Sequence, residues 1–365
     1  MDRTDSTEAA ASTEAAAVEA AASDAAPVLV TGGTGYLGTH TVGRLLADGH
    51  RVRTTVRNLD RASEVRGAVA AAGIPAAVAE ERLEIVAADL AADDGWPEAV
   101  AGCAYVLHVA SPFYTVDPDH ADELIGPARD GSLRVLRAAR DAGVRRVVLT
   151  SSFAAIGYSP KPDDTYDESD WTNPDDTDSP YIKSKAIAEA AAWDFVRSEG
   201  GGLELTVINP TGIFGPVLSP RLSSSIGLVK AMLDGTHPPV PHLYFGVVDV
   251  RDVADLHVRA MTHPKAAGER FLATSGDAIS YRQLSEILAE HYGSRGGALP
   301  VSELTDDQLR EAARTMPALR DAVLRAGRIL VMNTAKVRDL LGWTPREPAE
   351  TIIETAESLL ALPAA

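Results

Sequence analysis

The chain has little sulfur, few aromatic residues and a deficit of positive charge. Cys103 is the only cysteine among 365 residues, so no disulfide can form within the chain. A chain of this kind suits a reducing compartment, and we expect the cytoplasm. Lys and Arg number 34 against 52 Asp and Glu, a formal net charge of −18 that disfavours a nucleic-acid partner. No apolar run approaches the roughly 18 residues of a membrane helix, so no membrane partner is expected.

The sequence also has few features of a metal centre or a targeting segment. His108 and His120 have no second ligand at the spacing of a metal site, so no metal is expected. Residues 1–26 are mostly Ala, Ser, Thr, Asp and Glu, with Arg3 as the only basic residue. That composition fits neither a secretory signal nor a transit peptide, and it has no apolar face to bury. We expect residues 1–26 to be a disordered, acidic, alanine-rich tail.

A glycine-rich turn lies between an apolar run and an amphipathic stretch near the start of the remaining chain. Residues 31–38 read TGGTGYLG. Gly32 and Gly35 permit a tight turn and a close approach of backbone to a pyrophosphate, and Gly38 lets the following helix pack on the strand. The helix N-terminus then offers unsatisfied N–H groups and a positive dipole end. The turn predicts a dinucleotide site, with these contacts: Gly32, Thr34, Gly35, Tyr36, Leu37 and Gly38.

Two further motifs carry groups suited to carbonyl chemistry. Tyr181 and Lys185 are four residues apart and share one face of a helix. A free tyrosine has a pKa of about 10, which a neighbouring ammonium and an oxidised nicotinamide would lower. The strand pattern of residues 145–152 ends in Ser151 and Ser152, of which strand geometry allows only one to face the site. Together the three motifs indicate hydride transfer between a nicotinamide and a carbonyl group.

Apolar runs and helical stretches alternate along the chain. This order predicts an α/β fold, a Rossmann-type doubly wound parallel sheet with right-handed crossovers. Strands are predicted at 28–30, 52–56, 83–86, 105–109, 147–149 and 205–208, and helices near 36–48, 59–72, 121–142 and 181–198.

We also expect a division into domains. Residues 27–216 are expected to form a Rossmann domain that binds the dinucleotide. Its sheet is expected to be rejoined by Tyr244–Val250, within a return segment at 243–275. A smaller C-terminal substrate-binding lobe would consist of residues 217–242 and 276–365.

These motifs resemble those of the extended short-chain dehydrogenase/reductases. Within them the chain is most similar to the dihydroflavonol reductase, cinnamoyl-CoA reductase and fungal aldehyde/ketone reductase branch. The resemblance implies NADPH-dependent reduction of an aldehyde or ketone, with Tyr181 as general acid. It also implies that Lys185 bonds the nicotinamide ribose and that Ser152, rather than Ser151, bonds the carbonyl oxygen. The matching stretches are residues 31–38, 54–57, 106–112, 149–155, 181–185 and 248–254.

The end of the second strand bears on the choice of cofactor. NAD-binding proteins usually place an acid there, whereas an arginine near this point accommodates the 2′-phosphate of NADP. Arg57 ends the strand and Arg61 lies one helical turn further on, so NADPH is expected and NAD is less favoured. The resemblance implies that Asp89 bonds the adenine. It also implies these further cofactor contacts: Leu90, Val109, Ala110, Ser111, Pro210, Thr211 and Ile213.

The substrate is expected to be a small carbonyl compound in a mostly apolar pocket beside Ser152. The candidate walls are Phe113, Tyr114, Phe153, Ile156, Phe214 and Tyr244. Three alternatives stay open: an NAD-dependent nucleotide-sugar epimerase or dehydratase, a 3β-hydroxysteroid dehydrogenase-like enzyme, and a non-catalytic NADP-binding redox sensor. The first would need basic groups for a diphosphate, for which Arg221, Lys230 and Arg251 are available. The protein is expected to be a monomer or a homodimer.

Overall fold

A seven-stranded parallel sheet with helices on both faces organises the protein. The computed structural model describes residues 26–112, 122–237, 239–293, 302–315 and 319–362, so the predicted tail and the predicted wall residues Phe113 and Tyr114 lie outside the described residues, except for Ala26. The strands are β1 (Val28–Val30), β2 (Val52–Val56), β3 (Leu83–Ala87), β4 (Tyr105–His108), β5 (Arg146–Thr150), β6 (Thr165–Tyr166), β7 (Glu204–Pro210), β8 (Gly212–Phe214), β9 (Tyr244–Asp249), β10 (Arg270–Ala273), β11 (Ser275–Ser280) and β12 (Val331–Met332).

The helices follow the alternation predicted for the first two hundred residues. They are α1 (Tyr36–Ala47), α2 (Ala62–Ala71), α3 (Ala76–Arg82), α4 (Trp96–Val100), α5 (Asp122–Asp141), α6 (Pro180–Glu199), α7 (Ser224–Leu233), α8 (Val250–Thr262), α9 (Tyr281–Tyr292), α10 (Asp306–Thr315), α11 (Arg320–Arg325), α12 (Ala335–Leu341) and α13 (Pro348–Ala361).

The strand order of the large sheet creates the crevice where a ligand is expected. The order is β10-β7-β5-β4-β1-β2-β3, and every neighbouring pair is parallel. The direction of strand progression reverses between β1 and β4. In doubly wound sheets such a reversal opens a crevice at the carboxyl ends of the strands. The predicted fold class is therefore confirmed, and the glycine turn after β1 lies at this crevice.

Alternating side chains of the strands form a separate core on each face of the sheet. On β1, Val28 and Val30 pack with helices α1 and α8, whereas Leu29 packs on the other face with α5 and α6. The side chains of β1 and β4 are buried on both faces of the sheet, which explains why these strands read as continuous apolar runs. Helix α6, which carries Tyr181 and Lys185, is thereby held rigidly against the sheet.

The expectation that Tyr244–Val250 rejoins the large sheet is wrong. The segment Tyr244–Asp249 is β9, the centre of a separate sheet in which β8 pairs with it in parallel and β11 pairs in antiparallel. Strand β9 ends at Asp249, whose carboxylate accepts a hydrogen bond from the Arg251 N–H and so caps α8. Helix α8 then crosses the face of the large sheet, and β10 is the strand that joins it beside β7. Both segments are short and apolar, so periodicity alone could not choose between them.

A third apolar cluster lies beside the small sheet. Phe214 of β8 and Val247 of β9 pack there with side chains from α7, α9 and α13. This cluster contains much of the predicted substrate lobe, whose exact limits stay a prediction. None of the helices in the described ranges is long and apolar enough to cross a membrane.

Candidate active site

The glycine turn after β1 is packed too tightly for side chains. Gly32 has a φ of +73°, and its carbonyl oxygen accepts a hydrogen bond from the Gly35 N–H at 2.9 Å. A Cβ on Gly38 would lie 2.2 Å from that same oxygen, and a Cβ on Gly33 would lie 2.4 Å from the Thr54 hydroxyl. The chain therefore uses glycine here because backbone must approach backbone.

The start of α1 is suited to an anionic group. Its N-cap, Gly35, offers no side-chain hydrogen bond, and its first turn contains no acidic residue. The N–H groups of that turn thus meet no carboxylate, and the helix dipole favours negative charge there. The predicted pyrophosphate cradle fits this geometry. Leu37 is buried in the core, so only its backbone could contact a cofactor.

Tyr36 bridges the glycine turn to the small sheet. Its hydroxyl donates to the Gly215 carbonyl at 2.8 Å, just after β8. Burial, together with the Asp249 carboxylate, raises the pKa of Tyr36 well above its ordinary value. The side chain therefore acts as a neutral hydrogen-bond donor that ties α1 to the segment after β8. Thr34 lies half-buried in the turn itself.

Arg57 and Arg61 differ in availability at the end of β2. Arg61 donates twice to the Glu64 carboxylate, at 3.0 and 2.8 Å, and Arg221 lies 3.7 Å from the same carboxylate. Arg57 is exposed, and within the described ranges of the chain it has no carboxylate at ion-pair distance. Asp60 is held by the Asn58 amide at 2.8 Å. The structure therefore leaves Arg57 as the guanidinium that can take a phosphate without breaking an ion pair.

The predicted adenine contact caps a turn in this structure. One carboxylate oxygen of Asp89 accepts a hydrogen bond from the Ala91 N–H at 3.0 Å, and the residue is half-buried after β3. Its second carboxylate oxygen stays available for an adenine amino group. Neighbouring Leu90 is half-buried, and its carbonyl accepts from Arg134. Both residues lie at the crevice edge of the sheet.

A small polar network joins β1 to β4 at the strand reversal. The Thr31 hydroxyl oxygen accepts from the Ala110 N–H at 3.0 Å and bonds His108 Nδ1 at 2.8 Å. Burial lowers the pKa of His108 to about 3, so its ring is neutral. Ala110 in turn packs against Gly32, whose added Cβ would lie 2.9 Å from the Ala110 Cβ. Val109 and Ala110 therefore pack against the glycine turn, and their contact with a cofactor stays a prediction.

The three predicted catalytic residues are brought together. The Tyr181 hydroxyl donates to Ser152 Oγ at 3.3 Å, and Lys185 Nζ donates to Ser111 Oγ at 3.1 Å. Lys185 Nζ also lies 5.8 Å from the centroid of the Tyr181 ring. The Tyr181 side chain is 45 % exposed, so it faces an open cleft. Helix α6 begins immediately before Tyr181 because Ser179 accepts the Ile182 N–H and Pro180 occupies the first helical position.

Ser151 and Ser152 point in different directions, as strand geometry requires. Ser151 Oγ donates to the buried carboxylate of Glu189 at 2.5 Å. Ser152 Oγ accepts from the Ala154 N–H at 3.1 Å and caps a short 3₁₀ turn, Phe153–Ala155. The turn holds Ser152 in front of the Tyr181 phenol. Of the two serines, the structure therefore places Ser152 beside the tyrosine.

Desolvation is the main cause of the pKa shifts of Tyr181 and Lys185. Desolvation raises the pKa of the Tyr181 hydroxyl, although 45 % of the residue is exposed, and the hydrogen bond to Ser152 opposes this rise. Burial lowers the pKa of Lys185 to about 8, and the negative charge of Glu189 opposes this fall. The net fall expected in the pKa of Tyr181 is therefore not found for the protein's own groups. The physical reason is that desolvation of the phenolate outweighs the stabilisation by the Lys185 ammonium.

The carboxyl end of β7 carries the residues expected near the nicotinamide amide. Pro210 ends the strand and is buried, whereas Thr211 and Ile213 are half-buried. The Thr211 N–H donates to the Ala273 carbonyl at 3.0 Å, and its hydroxyl donates to the Thr274 hydroxyl at 3.1 Å. These bonds fix the segment against β10, facing the same crevice.

The predicted apolar walls are mostly core residues. Ile156 is 0 % exposed and Phe214 is 1 % exposed, so as placed neither side chain can contact a substrate. Ile156 packs with Phe153 and Leu272, and Phe214 stacks on Phe245 at 6.1 Å between ring centroids. These two predictions are wrong because apolar side chains beside a site often fill the core that supports it. Tyr244 is half-buried and stays possible as a wall.

The structure identifies residues near Tyr181 that the sequence did not single out. The guanidinium of Arg325 lies 4.4 Å from the centroid of the Tyr158 ring. The charge of Tyr158 contributes to the raised pKa of both Tyr181 and Tyr281. Tyr158 lies two residues after Ile156, which was predicted to lie near the site, and this was a usable signal. Nothing in the spacing of Arg325 or Tyr281 indicated their positions.

Comparison with known proteins agrees with this arrangement. The model of the NAD dependent epimerase/dehydratase family matches residues 28–273. A cinnamoyl-CoA reductase of Medicago truncatula is 36% identical over 274 residues, covering 73% of this chain and 81% of that protein. A dihydroflavonol 4-reductase of Hordeum vulgare is 35% identical over 274 residues, covering 73% and 75%.

A solved structure extends the likeness beyond these segments. The yeast methylglyoxal/isovaleraldehyde reductase complexed with NADPH superposes with a TM-score of 0.73 at 25% identity, covering 92% of this chain and 98% of that one. The resemblance to the branch of reductases is thereby confirmed. The chain belongs to the NAD dependent epimerase/dehydratase family, that is, to the extended short-chain dehydrogenase/reductases.

Proposed function

We propose that this protein is an NADPH-dependent oxidoreductase that reduces an aldehyde or ketone to the alcohol, with Tyr181 as the general acid. The observation that carries the proposal is the 3.3 Å hydrogen bond from the Tyr181 hydroxyl to Ser152 Oγ at the mouth of an exposed cleft. The reductases among its relatives and the NADPH complex of the yeast enzyme support the same chemistry.

The residues divide the reaction between them. NADPH, when bound, supplies the hydride that adds to the carbonyl carbon. The Ser152 and Tyr181 hydroxyls both donate to the carbonyl oxygen, and this holds the carbon toward the crevice. The phenolic proton of Tyr181 moves to that oxygen as the new C–H bond forms, and the product is the neutral alcohol. The phenolate then recovers a proton from solvent through the open cleft.

Lys185 has two functions in this arrangement. As an ammonium beside the phenol, it stabilises the phenolate left after proton transfer. Its Nζ already donates to Ser111, three residues after β4, and this contact supports a role for Lys185 in bonding the nicotinamide ribose. A pKa of about 8 keeps Lys185 mostly protonated near neutral pH.

The choice of NADPH over NADH rests on the end of β2. Arg57 is exposed and has no ion-pair partner within the part of the chain that the structure describes. A free guanidinium there matches a 2′-phosphate in charge and in geometry. Asp60, the nearest acid in sequence, is engaged by Asn58 and lies three residues past the strand end.

The epimerase alternative gains no support from the second lobe. Its candidate diphosphate groups are each engaged by carboxylates: Arg221 with Glu64, Lys230 with Asp234, and Arg251 with both Asp249 and Glu354. Binding a diphosphate would require these ion pairs to be exchanged. Tyr181 and Lys185 likewise weigh against a redox sensor without catalysis.

The proposal can be tested with purified protein and a panel of aldehydes, α-dicarbonyls and bulky ketones. We expect oxidation of NADPH on addition of one or more of these compounds, with loss of that activity in Tyr181→Phe. The contrary result is a protein that oxidises no NADPH across the panel and carries tightly bound NAD through purification. That outcome would favour an NAD-dependent nucleotide-sugar epimerase or dehydratase over a carbonyl reductase.

A further inference from the structure

A single buried carboxylate lies directly beneath the catalytic residues. Glu189 is on α6, one turn beyond Lys185, and its side chain is fully buried. Its oxygens accept four hydrogen bonds: from Ser151 Oγ at 2.5 Å, Asn209 Nδ2 at 2.6 Å, Arg270 Nε at 2.6 Å and Trp193 Nε1 at 3.3 Å. A buried charge with this many donors is fully satisfied.

Three of the four donors to Glu189 lie on, or directly after, three neighbouring strands of the large sheet. Ser151 directly follows β5, Asn209 lies on β7 and Arg270 lies on β10. The carboxylate therefore joins three strands to the helix that presents Tyr181 and Lys185. The Asn209 amide also donates to the backbone carbonyl of Ser152 at 3.1 Å, which fixes the catalytic serine from below.

Arg270 extends this network into the loop between the serine turn and α6. Its guanidinium donates to the Glu168 carbonyl at 2.9 Å and to the Asp170 carbonyl at 2.8 Å. The same guanidinium lies 3.7 Å from the centroid of the Trp171 ring, in a cation–π stack. It also donates to the Ala155 carbonyl at 3.4 Å, in the 3₁₀ turn that Ser152 caps. One ion pair thus reaches α6, the serine turn and the loop that precedes α6.

We propose that Glu189, through its ion pair with Arg270, is a positioning residue that sets the distance between Ser152 and the Tyr181–Lys185 face of α6. This inference rests on the proposed reductase function. Glu189 touches neither substrate nor cofactor; it acts through Ser151, Asn209 and Arg270.

The charge of Glu189 adds an electrostatic effect that a purely structural contact would lack. Among the residues that the structure describes, the titratable side chains near Lys185 are Tyr181 and Glu189 on its own helix and the neutral His108 on β4. Glu189 is the anion of this set, and it raises the pKa of Lys185 against burial. Arg270 on β10 is the cation that faces Glu189 from the sheet. Removing the Glu189 charge therefore lowers the pKa of Lys185 below about 8.

The test compares Glu189→Gln with a matched variant at a second Arg–Glu pair. Arg146 on β5 is 1 % exposed and pairs with Glu204 on β7 at 2.7 Å. That pair lies at the opposite end of the same strands, where Arg146 also donates to the Ala260 carbonyl at 2.7 Å. Glu204→Gln therefore removes the charge of a similar Arg–Glu ion pair at a position away from the candidate active site. A third variant, Ser151→Ala, removes one donor to Glu189 and leaves the ion pair intact.

We expect Glu189→Gln to lower kcat by about 10-fold or more and to move the alkaline limb of the pH–rate profile to lower pH. Its Kd for NADPH, measured by nicotinamide fluorescence, should change by less than about 3-fold. Ser151→Ala should lower kcat by a smaller factor, about 2- to 5-fold, and it covers the case in which Glu189→Gln does not fold. Glu204→Gln should leave kcat and the pH profile unchanged, whatever its melting temperature.

Three results would overturn the inference. One is a folded Glu189→Gln with unchanged kcat and pH profile. Another is an equal fall in kcat for Glu204→Gln, which would show a general effect of stability. The last result applies if Glu189→Gln does not fold, and it is an unaltered kcat in Ser151→Ala. In each case the wild type still reduces a carbonyl, so failure here is distinct from failure of the proposed function, in which the wild type itself is inactive.

Discussion

The Tyr181 hydroxyl and Ser152 Oγ are 3.3 Å apart, although α6 and the end of β5 are separate elements of the chain. The contact brings two hydroxyl donors to one point in a cleft where 45 % of the tyrosine is exposed. A carbonyl oxygen placed there meets both donors at once. Such convergent donors act where negative charge develops during hydride addition.

The first prediction concerns the general acid. Tyr181→Phe removes only the hydroxyl, so the variant should fold and bind NADPH normally. We expect kcat to fall by at least about 10²-fold, the range for a lost general acid. Steady-state kinetics on any accepted carbonyl would measure this, with cofactor fluorescence as the control for binding. A variant that retains more than half of the wild-type turnover would show that the proton comes from elsewhere.

The second prediction concerns the free guanidinium at the end of β2. A phosphate paired with Arg57 forms a charge-assisted contact worth roughly 1.5–3 kcal/mol. That corresponds to about 10- to 10²-fold preference for NADPH over NADH. Arg57→Asp should reverse the preference, because it repels the phosphate and accepts from the ribose hydroxyls. The ratio of kcat/KM for the two cofactors, measured in both proteins, checks this.

Arg61 provides the matched comparison for Arg57. Its guanidinium is already engaged by Glu64, so Arg61→Ala should reduce the preference for NADPH by less than Arg57→Ala does. Equal effects would mean that the Glu64 pair is exchanged for the phosphate. A wild type that prefers NADH would contradict the assignment of both arginines.

The sequence predicted the part of the site that depends on local spacing. The glycine turn, the Tyr181–Lys185 face and the serines after β5 each lie within a short segment, and the structure brings Ser152 and Tyr181 into contact. The residues that hold the site in place, such as Glu189 and Arg270, could not be predicted from local spacing. Arg270 is 81 residues from Glu189, and no periodicity relates a helix position to a partner on a strand so far along the chain. One local signal existed, since Glu189 is an acid four residues after Lys185 in an alanine-rich helix.

The fold was predictable to a similar extent. Runs of buried residues located β1 to β5 because both faces of a parallel sheet are covered. The same rule failed after Pro210, where short apolar segments divide between two sheets. Whether a segment such as Tyr244–Asp249 joins one sheet or the other is decided by helix α8 crossing between them. That crossing is a tertiary property and leaves no local pattern.

The third prediction concerns the pH dependence of activity. The pKa of Lys185 is about 8, below its ordinary value of 10.5, because the ammonium is buried. As pH rises through about 8, Lys185 loses its proton and no longer stabilises the Tyr181 phenolate, so kcat/KM should fall. In Lys185→Arg the guanidinium stays charged, so the alkaline limb should move to higher pH, although overall activity falls. An alkaline limb that is unaffected by Lys185→Arg would assign it to another group.

The fourth prediction concerns acid stability. Burial lowers the pKa of His40 and of His257 to about 4, and that of His108 to about 3, from an ordinary value of 6.5. Between about 6.5 and about 4 the unfolded chain therefore binds protons that the folded chain does not. Stability is full above pH 6.5 and is lost as pH falls through this window. At 1.36 kcal/mol per pKa unit, each histidine costs about 2 kcal/mol by pH 5.

Chemical denaturation at several pH values would measure this loss. His257→Phe removes one titrating ring, so its free energy of unfolding should depend less steeply on pH between about 6.5 and 4. The variant also loses the bond to the Thr150 hydroxyl, which makes it less stable at neutral pH. A free energy of unfolding that is flat from pH 7 to pH 5 in the wild type would contradict the prediction.

The last prediction contrasts two glycines that both lie in helices. A Cβ on Gly38 would lie 2.2 Å from the Gly32 carbonyl oxygen, a backbone atom that cannot rotate away. Gly38→Ala should therefore push α1 off the glycine turn, cost roughly 1–3 kcal/mol of stability as an overpacked site, and weaken NADPH binding by about 10-fold or more.

Gly67 in α2 has no atom within 4 Å of an added Cβ. Gly67→Ala should instead stabilise the protein by roughly 0.5–1 kcal/mol, because alanine favours a helix interior over glycine. Melting temperatures and NADPH titrations of the two variants separate these outcomes. If Gly38→Ala binds NADPH as tightly as the wild type does, the close approach of α1 to the turn is not required for the cofactor.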